Sequence, residues 1–237
     1  MIEIKNFSFT YPTGKKAVKD LTMTINEGDL FAFIGHNGAG KTTTIKAIVG
    51  ILDFSEGDIL IDGTSIKKDP LKCKKIMSYI PDNPDLYDSL TGIQFLNFIG
   101  DIYNIPTTKR QALIEKHAQA LEIYNDLGSL ISSYSHGMKQ KLAFVAAFIH
   151  EPKILIMDEP FVGLDPKAAF LVKQMMHEFC HTGGIIFFST HVLEVAEKLC
   201  NRIAIIKNGE LVVTGAMEDI VKDASLEDVF METAENA

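Results

Sequence analysis

Five apolar residues, Leu30-Phe31-Ala32-Phe33-Ile34, run directly into Gly35-His36-Asn37-Gly38-Ala39-Gly40-Lys41-Thr42-Thr43. This segment limits the fold more than any other, because a G-x-x-x-x-G-K-[ST] loop has its mechanical sense only between a strand and a helix. Glycines let backbone N–H groups turn inward around an anion, and the helix that follows presents its positive end to the same point. In such a loop Lys41 reaches the β- and γ-phosphates of a nucleotide, and the Thr42 hydroxyl is placed for Mg²⁺.

A nucleotide site also needs a carboxylate at the end of a neighbouring strand, and Ile154-Leu155-Ile156-Met157-Asp158-Glu159-Pro160 supplies two. Asp158 then serves Mg²⁺ and Glu159 serves as base toward the attacking water. Together with Leu30 to Ile34 and Ile185 to Phe188, this strand is continuously apolar, the texture of strands buried on both faces of a parallel sheet. The N-terminal region reads differently. Alternation in Ile2 to Tyr11 and Leu21 to Ile25, and a run Gly57 to Ile61 before Asp62-Gly63, predict a small antiparallel sheet. Between Thr91 and Ile149 the period turns helical, with Ile93, Phe95, Leu96, Phe98 and Ile99 in one segment and Leu113, Ile114, His117, Leu121 and Ile123 in the next. Asn208-Gly209 joins two short strands, Ile203 to Lys207 and Glu210 to Thr214, as a hairpin, and an acidic helical tail follows from Met217. No repeat, low-complexity tract or linker divides the chain.

Composition excludes other classes. At 237 residues the chain can bury a core without disulfides or a structural metal. Cys73, Cys180 and Cys200 are widely spaced, with no C-x-x-C pair, and read as reduced thiols. A formal charge of −8 argues against general binding of nucleic acid. The longest apolar run, Leu142 to Ile149, falls far short of the ~18 residues a spanning helix needs, and the N-terminus has no signal-peptide pattern, so a cytoplasmic location is expected. His177-Glu178-Phe179-Cys180-His181 fits the H-E-x-x-H pattern of zinc enzymes. The extended zinc pattern, however, meets Phe187 where a histidine is required, and no third ligand is evident.

With these motifs in place, the chain resembles the nucleotide-binding subunit of ABC transporters along nearly its whole length. Tyr134-Ser135-His136-Gly137-Met138-Lys139-Gln140 is similar to the family's signature motif, with Ser135 and Gly137 matching and His136 departing. Gly163-Leu164-Asp165 is similar to the D-loop, and His191 after Ser189-Thr190 to the switch histidine. The resemblance implies a P-loop NTPase of the α/β class: a RecA-like parallel core sheet, an N-terminal antiparallel β region and a helical subdomain inserted at about residues 85–150, in one ABC ATPase domain spanning 1–237. It further implies ATP and Mg²⁺ as ligands, with adenine stacked on Tyr11 and phosphates held by Gly35, His36, Asn37, Gly38, Ala39, Gly40, Lys41, Thr42 and Thr43. Ser135 and Gly137 would act on ATP held by a second subunit, so the working unit is a head-to-tail dimer, with a homodimer favoured, while Asp165, expected like His191 where strand ends converge on the ligand, counts among the nucleotide-binding residues. Catalysis falls to Glu159 and His191, and metal binding to Thr42, Asp158 and Asp82. Asp82 stands where the family's Q-loop usually has glutamine, with a shorter and charged side chain. Integral membrane subunits are the implied partners, received in a groove formed by Pro84 to Phe98 with Leu86, Tyr87, Phe95 and Phe98. The chain would then be a peripheral protein on the inner face of the cell membrane, powering transport. The motif wording is most like bacterial exporters of the Ecs and drug- or peptide-efflux type. Two alternatives stay open at this point: a soluble ABC-type ATPase of an assembly system, and a module that senses ATP without hydrolysing it.

Overall fold

A computed structural model describes residues 1–222 and 224–235, with no side-chain description for residues 234 and 235. The chain runs β1 (Ile2–Thr10), β2 (Lys16–Ile25), β3 (Leu30–Ile34), α1 (Lys41–Ile48), β4 (Glu56–Ile61), β5 (Thr64–Ser65), α2 (Pro70–Lys74) and β6 (Met77–Ile80). Helices α3 (Gly92–Ile102), α4 (Thr107–Ala120) and α5 (His136–Phe148) follow. The remainder is β7 (Ile154–Asp158), α6 (Pro166–His181), β8 (Ile185–Thr190), α7 (Leu193–Leu199), β9 (Arg202–Lys207), β10 (Glu210–Ala216), α8 (Met217–Ile220) and α9 (Leu226–Glu235).

These strands form two sheets. The larger has the order β10-β9-β3-β8-β7-β6, parallel except for β10 at its edge. Its central strands β3, β7 and β8 are apolar over most of their length because both faces are covered, and the pleat sorts the sheet residue by residue. Leu30, Ala32, Ile34, Leu155, Met157, Ile186, Phe188, Ile203 and Ile205 join one apolar cluster, shared with α3 to α7. Their neighbours Phe31, Phe33, Ile154, Ile156, Ile185, Phe187, Ala204 and Ile206 join the other, shared with α1 and the small sheet. Side chains that alternate faces at a period of two require this division.

The smaller sheet is antiparallel, in the order β2-β1-β4-β5. Its alternation slips at Asn6, whose φ of 50° accompanies a register shift between Ile4 and Phe7. The first strand stops at Thr10 rather than running through Tyr11. Asp62-Gly63 and Asn208-Gly209 both adopt positive φ at each residue and close the hairpins β4–β5 and β9–β10. Sequence periodicity overruns α4: the helix ends at Ala120, and Glu122 at φ 54° turns the chain, so Leu121 and Ile123 are buried from outside the helix. Of the acidic tail, α8 and α9 are helical, while residues 223, 236 and 237 lie outside the described residues. Among the described residues no helix is long and apolar enough to cross a membrane.

Parallel pairing brings the carboxyl ends of β3, β6, β7 and β8 to one edge, which is where the sheet order places a ligand crevice.

Candidate active site

The loop after β3 enters α1 through Gly40, whose φ is 115°. A Cβ there would also lie 2.6 Å from the Ala17 carbonyl, so only glycine is accommodated. No side chain caps α1, which leaves its first N–H groups directed at the loop. Lys41 is buried, and its ammonium donates to the Gly35 carbonyl at 2.6 Å and the His36 carbonyl at 3.5 Å. Glu159 Oε1 lies 3.8 Å away. Burial pushes the Lys41 pKa down from its ordinary value, against the opposing pull of the Glu159 and Asp158 carboxylates.

Asp158 ends β7 opposite Ser189 of β8. The Ser189 hydroxyl donates to Asp158 Oδ1 and accepts the Glu159 backbone N–H at 3.2 Å. Glu159 has a positive φ of 48°, an uncommon backbone setting for a non-glycine residue and one that concentrates at functional sites. Its Oε1 lies 2.9 Å from His191 Nδ1 and 3.8 Å from Lys41 Nζ, so one carboxylate stands between the loop lysine and the histidine beyond β8.

A cavity of about 290 Å³ joins these groups, lined by Tyr11, Lys15, the loop from His36 to Gly38, Gly40 to Thr43, Asp82, Asp158 and Glu159. Tyr11 is partly exposed, packs edge-on to Phe9, and shares a 2.9 Å hydrogen bond between its hydroxyl and Thr43 Oγ1. Gly35 and Ala39 are buried behind the loop. The walls thus combine a cation, helix-end N–H donors, three carboxylates and an aromatic face, which is the equipment for binding and hydrolysing a polyphosphate.

Nucleotide chemistry and a doubly faced parallel sheet meet here in one arrangement, and the sequence pattern of the ABC transporter family matches residues 18–162. The chain belongs to the ABC transporter family. As an ABC ATPase subunit it binds and hydrolyses ATP. It is 32% identical over its whole length to 98% of the ABC-type transporter ATP-binding protein EcsA of Bacillus subtilis. It is 34% identical over 93% of its length to 70% of the linearmycin resistance ATP-binding protein LnrL of the same organism. The solved structure of an ATP-binding subunit of an ABC transporter superposes with a TM-score of 0.93 at 33% identity, covering 99% of both chains. The fold is that of the P-loop NTPases.

The other sequence-derived site residues of this ABC ATPase lie outside the cavity. Ser135 caps α5, its Oγ accepting the Met138 N–H at 3.2 Å, and both Ser135 and His136 are exposed. Asp165 caps α6, accepting the Ala168 N–H at 2.8 Å, and that hydrogen bond is the chief reason its pKa is lowered. The two segments touch: His136 packs so closely on Gly163 that a Cβ there would fall 2.0 Å from the imidazole Cδ2, and Gly163 has φ 77°. His177 and His181 are exposed on α6, and among the described residues no three His, Cys, Asp or Glu side chains are grouped to hold a metal.

Two contributors escaped sequence reasoning. Ser189 fixes both acids, a role foreshadowed only by its hydroxyl at the end of an otherwise apolar strand. Gln140 is fully buried and donates to the Pro160 carbonyl at 3.3 Å, tying α5 to the acidic loop; set between Lys139 and Lys141, it carries no local sign of burial.

Proposed function

We propose that two copies of the chain bind two ATP molecules head to tail and, through a separate membrane-spanning partner, drive export. One observation carries this reading. Lys41, Asp158, Glu159 and Asp82 surround one cavity, while Ser135 and Gly137 lie outside it at an exposed helix start. An exposed helix start lying outside its own chain's nucleotide cavity suits the phosphates of a nucleotide held by a second copy.

Within each copy, adenine stacks on Tyr11, and the Lys41 ammonium exchanges the Gly35 and His36 carbonyls for phosphate oxygens. Thr42, Asp158 and Asp82 offer hard oxygen donors to the same cavity, a set that fits Mg²⁺. When bound, that ion neutralises charge on the phosphate oxygens. Glu159 takes the proton of the attacking water, His191 orients Glu159 from 2.9 Å away, and Ser189 holds Asp158 in place. Closure of the dimer on ATP and its release after hydrolysis form a population switch biased by phosphate contacts.

The membrane partner docks beside α3. Tyr87 and Phe98 are exposed and meet edge to face with ring centroids 5.6 Å apart, next to a cavity of about 200 Å³ lined by Leu86, Phe95, Tyr103 and His150. An apolar, aromatic face of this kind suits a helix laid in a groove. A cytoplasmic position on the inner membrane face follows from that docking. The name of EcsA, a transporter protein, supports transport, and that of LnrL, a resistance protein, supports export.

Affinity purification from detergent-solubilised membranes of the native cell tests the partner. Near-equal recovery of a polytopic membrane protein is expected, and recovery with soluble proteins alone would refute the transport claim. For the dimer, Glu159→Gln in ATP should elute from gel filtration at twice the monomer mass. A monomer under those conditions counts against the two-copy site.

A further inference from the structure

The last helix of the chain reaches the outer side of the phosphate loop. Helix α9 is anchored at its start: Leu226 is fully buried in the cluster shared with β3 and α7, and its N–H donates to Glu197 Oε2 at 2.9 Å. One turn later, on the same helix face, the Phe230 ring lies against the ring of His36 with centroids 4.7 Å apart and planes inclined at 54°. Near the far end, the Thr233 carbonyl accepts from Lys207 Nζ at 2.7 Å, which ties the helix to β9. Held at both ends, α9 presents Phe230 to the loop as a fixed surface.

His36 is the loop residue whose own carbonyl, with that of Gly35, receives the Lys41 ammonium. Its side chain is otherwise exposed, so the Phe230 contact is what restrains that part of the loop from outside. The anchor of α9 on α7 also carries it back to the segment that follows His191. We propose that Phe230 is a positioning residue for nucleotide binding: by bracing His36 it sets where the loop carbonyls, the Lys41 ammonium and the helix-end N–H groups stand. The inference rests on the ATP-site reading above and adds to it a residue nearly two hundred positions from the loop.

The test is a set of full-length variants, with ATP affinity measured by isothermal titration calorimetry and folding by thermal melting. Phe230→Ala should weaken ATP binding roughly threefold to tenfold, the size expected for one aromatic pair. Phe230→Tyr, which keeps a ring, should restore affinity to within about twofold, whereas Phe230→Leu, which keeps only bulk, should not. The Phe230→Ala effect should largely vanish in a His36→Ala background, because the two changes remove the same contact. Unchanged affinity in a folded Phe230→Ala protein would overturn the proposal. So would full rescue by Leu, or additive losses in the double variant, since either reduces Phe230 to general packing. Lys41→Ala run in parallel separates the two ideas: if it too binds ATP normally, the nucleotide site is misassigned, whereas its loss beside an intact Phe230→Ala leaves that site standing and removes only the brace.

Discussion

Helices α1 and α5 begin in opposite ways. Helix α1 starts at a left-handed glycine with no side-chain cap, its first residue Lys41 is buried, and the two acids at the end of β7 and just after it stand across the cavity. Helix α5 starts at an exposed serine that caps its own third N–H, and Lys139 in its first turn is held by Asp88 at 2.6 Å. Both are helix N-termini with the same macrodipole. The contrast shows that the dipole alone does not make a complete site: convergence of strand ends does, and α5 lies outside that convergence.

The sharpest way to break the comparison is at Glu159. Its change to Gln should lower steady-state hydrolysis by roughly a hundredfold to ten-thousandfold, the range for loss of a general base, while ATP affinity holds. A turnover near wild type would remove Glu159 from catalysis. Lys41→Ala should weaken ATP binding by about a hundredfold, measured by calorimetry, because a charged donor to phosphate is lost. Ser189→Ala should cost about tenfold in turnover with little change in ATP affinity, since Asp158 and the Glu159 backbone lose a shared partner. At the other helix, Ser135→Ala should leave the monomer's ATP affinity within about twofold and lower stability by about 1 kcal/mol through loss of the cap. In a Glu159→Gln background it should also prevent the ATP-dependent dimer on gel filtration. A strong loss of monomer affinity would place Ser135 in the same-chain site and erase the contrast.

Acid should act on the α5 side and spare the phosphate loop. His117 stacks on Phe148 of α5, and His150 follows that helix, stacked on Tyr103 with Nε2 2.5 Å from Ser78 Oγ. Burial pushes the pKa of each down to about 4. Both are below the ordinary value near 6.5, so between the two values the unfolded chain binds more protons. The stability these residues support is therefore full above about pH 6.5 and is lost as pH falls toward 4. Urea midpoints should reveal a loss of about 1 kcal/mol per histidine by pH 5, discounted for partial exposure. His150→Gln should flatten that slope; an unchanged slope would show that His150 does not titrate on unfolding.

Legibility in the sequence followed locality. The phosphate loop, the Asp158-Glu159 pair and the Asn208-Gly209 hairpin were readable because each needs particular residue types at adjacent positions. Sheet faces were readable from the period of two, and the slip at Asn6 from the break in alternation. The end of α4 was misread because Leu121 and Ile123 continue the apolar pattern after Glu122 has turned the chain. Hydrophobic patterning reports burial, and burial continues past a helix end. Ser189 and Gln140 were missed because neither a serine closing an apolar strand nor a glutamine between two lysines has a local signature for the partner it meets across space.

By itself, then, the sequence determined the chemistry of the phosphate loop, the acidic strand that partners it and the buried character of the central sheet. These rest on spacing and on the side-chain period of the backbone, which are properties of the chain before it folds. Only the tertiary structure decided that Glu159 stands between Lys41 and His191, that His136 requires a glycine at 163, and that Phe230 meets His36. Each of these contacts joins elements distant in the sequence, and their distances are fixed by parallel register and by packing on the two faces of one sheet.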